Sequence, residues 1–181
     1  MFTEGHSFPK TIDKWDFDQM VDDYLQHAYG KDWQIAKDYF SRVNKAFDFR
    51  FLCGENSVNG VKGTVFRPAP GSFYNPAMAE GFNKGKEIAA YGRLLCKNHQ
   101  VNPTRPQAVS WRLMLHHTEW IEGMAEVMGN KCIGNDELAK EQFKAMTQRF
   151  GRHEFEIERY CDHMLLSSTY NAKVNAPAQP E

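Results

Sequence analysis

The sequence predicts an all-α protein in which about five helices form an irregular bundle. Apolar residues recur at steps of three or four in five stretches, the spacing that lines one face of an α-helix, and glycine or proline residues separate these stretches. The last stretch, 135–168, would form a helix roughly 50 Å long at 1.5 Å per residue. Only several neighbouring helices can cover an apolar stripe of that length.

The first two helices are expected from Asp16 to Gly30 and from about Lys31 to Phe47. Asp16 suits the N-cap position because its carboxylate can accept N–H bonds from the first turn. Gly30 suits the end of a helix because glycine readily adopts left-handed backbone. The connection is so short that the two helices must be neighbours. The residues expected to face inward are Phe17, Met20, Val21, Tyr24, Leu25 and Ala28 in the first helix, and Trp33, Ala36, Tyr39, Phe40, Val43 and Phe47 in the second.

A long loop, residues 48–75, is expected next. Its glycine, proline and turn-forming residues exclude helix over most of its length. The stretch VKGTVF, residues 61–66, is considered as a short strand or hairpin arm. Loops of this length inside a compact domain are uncommon and often carry function.

The third helix is expected to begin at Pro76, because proline suits the first position of a helix, and to end near Asn98. Gly81, Gly85 and Gly92 interrupt its apolar face. Each glycine costs about 0.5–1 kcal/mol relative to alanine in a helix interior. We therefore expect either close backbone packing at these positions or a later start of the helix.

The fourth helix is expected from about Thr104 or Pro106 to Gly129, and the fifth from Asn135 to about Ser168. Acidic residues at the start of the fifth helix favour this boundary, because negative charge is stabilised at a helix N-terminus. The length of 181 residues fits one domain. The predicted organisation is an irregular lead-in at 1–15, a single helical domain at 16–170 and a flexible tail at 171–181.

Composition excludes several classes of function. Lys and Arg number 22 against 23 Asp and Glu, so the chain lacks the basic excess of a nucleic-acid-binding protein. No apolar run approaches the length of a membrane span, and the N-terminus lacks the pattern of a signal peptide. The cysteines are far apart and form no CxxC pair, which favours reduced thiols and a cytoplasmic location; they are Cys53, Cys96, Cys132 and Cys161.

The motifs of common active sites are absent from the sequence. It contains no GxSxG nucleophile turn, no glycine-rich phosphate loop and no HExxH zinc signature. No catalytic residue and no cofactor are therefore predicted.

Titratable residues are densest around 116–119 and 153–163. Histidines and carboxylates on facing helices can bind a metal ion inside a bundle. His117 and His153 lie on predicted apolar faces, so the metal candidates are His117, Glu119 and His153, although no Glu-x-x-His step occurs. The favoured interpretation is that these histidines are buried and satisfied by hydrogen bonds.

Aromatic and arginine residues surround the long loop. Aromatic rings pack on the apolar faces of sugars, and arginine can bind a carboxylate through two hydrogen bonds. The candidates for contact with a ligand or partner are Arg50, Arg67, Phe73 and Tyr74. The alternative is that these residues belong to a loop that folds onto the bundle.

The segment WDFDQMVDDYLQHAYG, residues 15–30, resembles the entry into the helical C-terminal region of a glycoside-hydrolase-like family related to α-glucuronidases. In that family a (β/α)₈ barrel precedes the helical region. The resemblance implies a non-catalytic accessory module that packs on a catalytic barrel of the same or a longer protein, with a homodimer or a carbohydrate as further partners.

The alternative function is a free-standing helical bundle with a buried His/Glu metal site. A third possible function is that of an interaction protein that dimerises through its aromatic surface.

Overall fold

The computed structural model describes residues 17–64, 67–99 and 104–177, so the predicted lead-in lies outside the described residues. The all-α prediction is confirmed: within these ranges the regular elements are helical and no strand occurs. None of the described helices is apolar over a sufficient length to cross a membrane. The helices are α1 Phe17–Tyr29, α2 Trp33–Ala46, α3 Phe49–Leu52, α4 Ala79–Asn98, α5 Arg105–Cys132, α6 Asp136–Phe150, α7 Glu154–Ile157 and α8 His163–Asn175.

The 28-residue helix α5 runs through the centre of the bundle and packs along α4 and α6. Its first half joins a core with α1 and α2, where Trp111 and Met114 lie with Tyr39. Its second half joins a core with α4, α6 and α8. The prediction that this helix stops at Gly129 was wrong, because glycine is tolerated inside a helix and the left-handed residue is Gly134, with φ of 88°.

Glycines bring α4 close to its neighbours, as their positions in the sequence predict. A Cβ atom at Gly85 would lie 2.8 Å from Cε2 of Phe47, and one at Gly92 would lie 2.7 Å from Cγ2 of Thr118. The same Cβ at Gly92 would also clash with the ring of Tyr39. Both positions therefore require the absence of a side chain.

The predicted fifth helix is divided, and the expectation of one helix about 50 Å long was wrong. Helix α6 ends at Phe150, a 3₁₀ turn covers Gly151–His153, and α7 forms a corner before α8. Asp162 is the N-cap of α8, because its carboxylate accepts a hydrogen bond from the backbone N–H of Leu165 at 2.9 Å. Helix α8 returns along α6, since Val174 lines the same crevice as Phe143.

The predicted flexible tail also begins too early. Helix α8 continues to Asn175, and its residues Lys173 and Val174 are buried. Lys131 is fully buried, and its ammonium donates to Oδ1 of Asp136 at 2.7 Å and to the backbone carbonyl of Ala176. Burial lowers the pKa of Lys131, and the bond to Asp136 opposes that shift. These bonds tie the C-terminal segment to the core.

The outer face of α1 differs from the prediction. Leu25, Ala28 and Tyr29 are buried, but Phe17 and Tyr24, which were expected to face inward, are 72% and 69% exposed. Among the longer helices, α1 packs mainly on α2 and α5. An edge helix with so few neighbours cannot cover its whole apolar face.

The loop 48–75 folds onto the bundle. It begins with the short helix α3, whose first N–H groups bind the carboxylate of Asp48. No strand forms at residues 61–64, and 65–66 lie outside the described residues. Phe73 is fully buried against Phe51, with ring centroids 5.9 Å apart.

We predict that Gly92→Ala destabilises the protein by about 1–3 kcal/mol, because the added methyl group overpacks the contact between α4, Tyr39 and Thr118. Urea denaturation followed by circular dichroism measures this change. Gly129→Ala is the matched control, since its Cβ would lie 3.5 Å from Phe82. Alanine there should stabilise the helix by about 0.5–1 kcal/mol. Equal effects of the two substitutions would contradict the close packing.

Candidate metal centre

A cavity of about 660 Å³ lies between α5 and the corner formed by the 3₁₀ turn and α7. Helix α5 supplies one wall, because residues spaced by three or four share a helix face. The opposite wall comes from His153, Glu156 and Tyr160. The residues of α5 that line the cavity are Arg105, Ala108, Val109, Trp111, Arg112, Leu115, His116 and Glu119.

Two histidine–glutamate pairs cross this cavity. Nε2 of His116 on α5 lies 3.0 Å from Oε2 of Glu156 on α7. Nε2 of His153 lies 3.0 Å from Oε2 of Glu119 on α5. The two imidazole rings are tilted against each other with centroids 4.4 Å apart. Each wall therefore contributes one histidine and one carboxylate.

Three of these residues bring potential metal ligands together. One ligand atom each from His116, His153 and Glu156 lies within 4.8 Å of the others. Two imidazoles and a carboxylate are a ligand set for zinc or for non-haem iron. His116 is buried, whereas Glu156 is about half exposed, so the cluster is reachable from solvent on one side.

Two of the residues that line the cavity each contain a buried polar atom without a hydrogen-bond partner among the described residues: Nδ1 of His116 and Nε1 of Trp111. Burying a polar group without a partner costs about 1–3 kcal/mol. Trp111 packs instead against His99, with ring centroids 4.1 Å apart and nearly parallel planes. The fold therefore contains energetically unfavourable unpaired polar atoms beside this cavity. Such features are typical of functional sites.

His117, the first of the predicted metal candidates, lies on a different face of α5. Its Nδ1 is 3.0 Å from the hydroxyl of Tyr39, and its ring packs against Tyr39 and Phe40. Burial lowers the pKa of His117 to about 4, so it is neutral at pH 7. His117 therefore does not join His153 as a metal candidate; it is a half-buried, hydrogen-bonded histidine of the kind that the favoured interpretation described.

The structure does bring together the other two predicted metal candidates, Glu119 and His153. His116 and Glu156 were not among the predicted metal candidates. A signal for them exists, because the step His-x-x-Glu occurs at 116–119 and again at 153–156. Residues three apart share a helix face, so each step can present its histidine and its glutamate to one cavity.

The predicted ligand surface near the loop is not assembled as expected. Phe73 belongs to the core, so it cannot stack on a sugar at the surface. Arg50 and Arg67 are exposed, and Tyr74 is half-buried beside Gly134. A carbohydrate ligand at this loop stays a prediction.

Comparison of the chain with protein-family models, curated proteins and solved structures finds no match.

We predict that His116→Leu changes the free energy of unfolding of the metal-free protein by no more than about 1 kcal/mol, because removal of a buried unsatisfied nitrogen offsets the loss of the contact with the half-exposed Glu156. Urea denaturation in the presence of a chelator measures this. The control is Thr118→Val, because the buried Thr118 hydroxyl donates to the Leu115 carbonyl at 2.7 Å. Loss of that bond should cost about 1 kcal/mol. If His116→Leu lowers the free energy of unfolding by more than Thr118→Val does, His116 has a structural role.

Proposed function

We propose that this protein binds a divalent transition-metal ion through His116, His153 and Glu156. The observation that supports this function is the convergence of their ligand atoms within 4.8 Å from two facing elements. A metal ion needs its nitrogen and oxygen ligands at about 2.0–2.2 Å. Small side-chain rotations would bring these atoms to that distance, because Glu156 is partly exposed and unconstrained by the core.

Glu119 has a supporting role in this proposal. It pairs with Nε2 of His153 at 3.0 Å. Carboxylates that contact a ligating histidine fix the orientation of its ring and raise its basicity. Glu119 would thus hold His153 in place while the metal occupies the other side of the cluster.

The proposed ligand set leaves coordination positions open. Structural zinc sites use four protein ligands, whereas sites with three protein ligands keep a position for water or substrate. The 660 Å³ cavity adjoins the three residues directly. A metal ion bound here would therefore be accessible to a small molecule.

We predict that protein purified without an affinity tag binds one Co²⁺ or Zn²⁺ ion per chain. Visible absorption of Co²⁺ and calorimetry with Zn²⁺ measure the affinity and the stoichiometry. Glu119→Gln should weaken binding by about 10–100-fold, as loss of an orienting carboxylate does. His116→Gln and Glu156→Gln should weaken it more, because each removes a ligand.

His117→Gln is the matched control for this experiment, since His117 is the adjacent histidine and faces Tyr39. It should retain the wild-type metal affinity. Binding far below one equivalent by the wild-type chain would refute the metal site. Equal losses of metal affinity for His116→Gln and His117→Gln would contradict the assignment of the metal ligands.

The outer face of α1 supports a second candidate function. This face belongs to the segment that resembles the glycoside-hydrolase-like family, and it exposes Phe17, Met20 and Tyr24. Exposed apolar groups of this kind are typical of surfaces that contact another protein. We propose that a catalytic barrel, in the same or a longer protein, covers this face and that the chain itself is non-catalytic.

We predict that the isolated chain does not hydrolyse aryl-glycosides or oligosaccharides and that it is monomeric in light scattering at several concentrations. Phe17→Ser should leave its stability within about 0.5 kcal/mol of wild type, as expected for an exposed position. Robust turnover would contradict the accessory role. A dimer that Phe17→Ser dissociates would assign this face to self-association instead.

A further inference from the structure

The cavity beside the proposed metal centre has a positively charged wall. Arg112 lies one helical turn before His116 on α5, and Arg105 lies two turns before Arg112. Both arginines line the cavity and are exposed to solvent. Among the residues that the structure describes, no carboxylate forms an ion pair with either guanidinium. Each can therefore bind an anion without breaking an existing pair.

The charge balance of the cavity favours an anionic ligand. Its charged lining residues are Arg105, Arg112, Glu119 and Glu156. The two glutamates would neutralise a bound divalent cation, so the two arginines would remain without a counter-charge. This step rests on the proposed metal site, because without the metal the four side chains balance one another. With the metal, the cavity carries two excess positive charges.

The remaining walls indicate a small organic ligand. Ala108, Val109 and Leu115 provide apolar surface, and a volume of about 660 Å³ is typical of small-molecule pockets. Trp111 contributes part of its side chain to the same wall. Arg112 and His116 are four residues apart, a rise of about 6 Å along the helix. Their side chains therefore lie about one helical turn apart on the same face of α5.

We infer that this cavity binds a small organic dicarboxylate, with one carboxylate on the metal ion and the other on Arg112. An inner-sphere carboxylate occupies the coordination positions that His116, His153 and Glu156 leave open. The planar guanidinium of Arg112 binds the second carboxylate through parallel hydrogen bonds. Arg105 lies further from the metal and contributes its charge at the mouth of the cavity.

The test is a titration of the Co²⁺-loaded protein with succinate, followed by visible absorption and calorimetry. Succinate should change the Co²⁺ spectrum in a saturable manner, because a new oxygen ligand enters the coordination sphere. Succinamide, its neutral analogue, should not. Arg112→Gln should weaken succinate binding by about 10- to 100-fold and leave the Co²⁺ affinity unchanged. Arg42→Gln, which changes an exposed arginine outside the cavity lining, should leave both affinities at the wild-type value.

The outcomes separate this inference from the proposed function. If Co²⁺ binds with one equivalent but succinate changes neither the spectrum nor the heat, the dicarboxylate site is refuted and the metal site stands. Equal succinate affinities of the wild type and Arg112→Gln would also refute it. If Co²⁺ itself does not bind, the metal titration reveals this before succinate is added, and both proposals fail.

Discussion

The contact of α4 with α2 and α5 at Gly92 is the constraint on which the arrangement of the bundle depends. The absence of a side chain there lets the ring of Tyr39 lie against the α4 backbone. Tyr39 in turn holds His117 by its hydroxyl. Since adjacent residues on a helix point about 100° apart, an inward His117 directs His116 to another face. The glycine contact thereby sets which α5 histidine reaches the cavity.

Local sequence signals predict most of the helices. Gly30 ends α1 with φ of 68°, and Asn75 caps the 3₁₀ turn at Pro76 that leads into α4. The division of the fifth stretch could not be predicted from apolar spacing, because Tyr160 and Met164 continue the stripe although they are exposed. These side chains stay exposed because α8 packs back along α6. That is a tertiary contact, which local spacing does not encode.

The candidate site was only partly predictable for a related reason. The sequence places histidines near the right positions, but His116 and His117 are neighbours that point about 100° apart, and the rotation of α5 about its axis decides which one faces the cavity. The turn at Gly151 then brings His153 and Glu156 back towards α5. That approach depends on contacts between residues about 40 positions apart, as for His116 with Glu156, which no local pattern encodes.

The buried ammonium of Lys131 has a consequence for the folding of this chain during its synthesis. Its acceptors are the carboxylate of Asp136, five residues later, and the carbonyl of Ala176, 45 residues later. Until residue 176 has been synthesised, a buried Lys131 would lack this second acceptor, and burial of its charge would be incompletely compensated. This end of the core therefore needs the C-terminal part of α8 for its full stability.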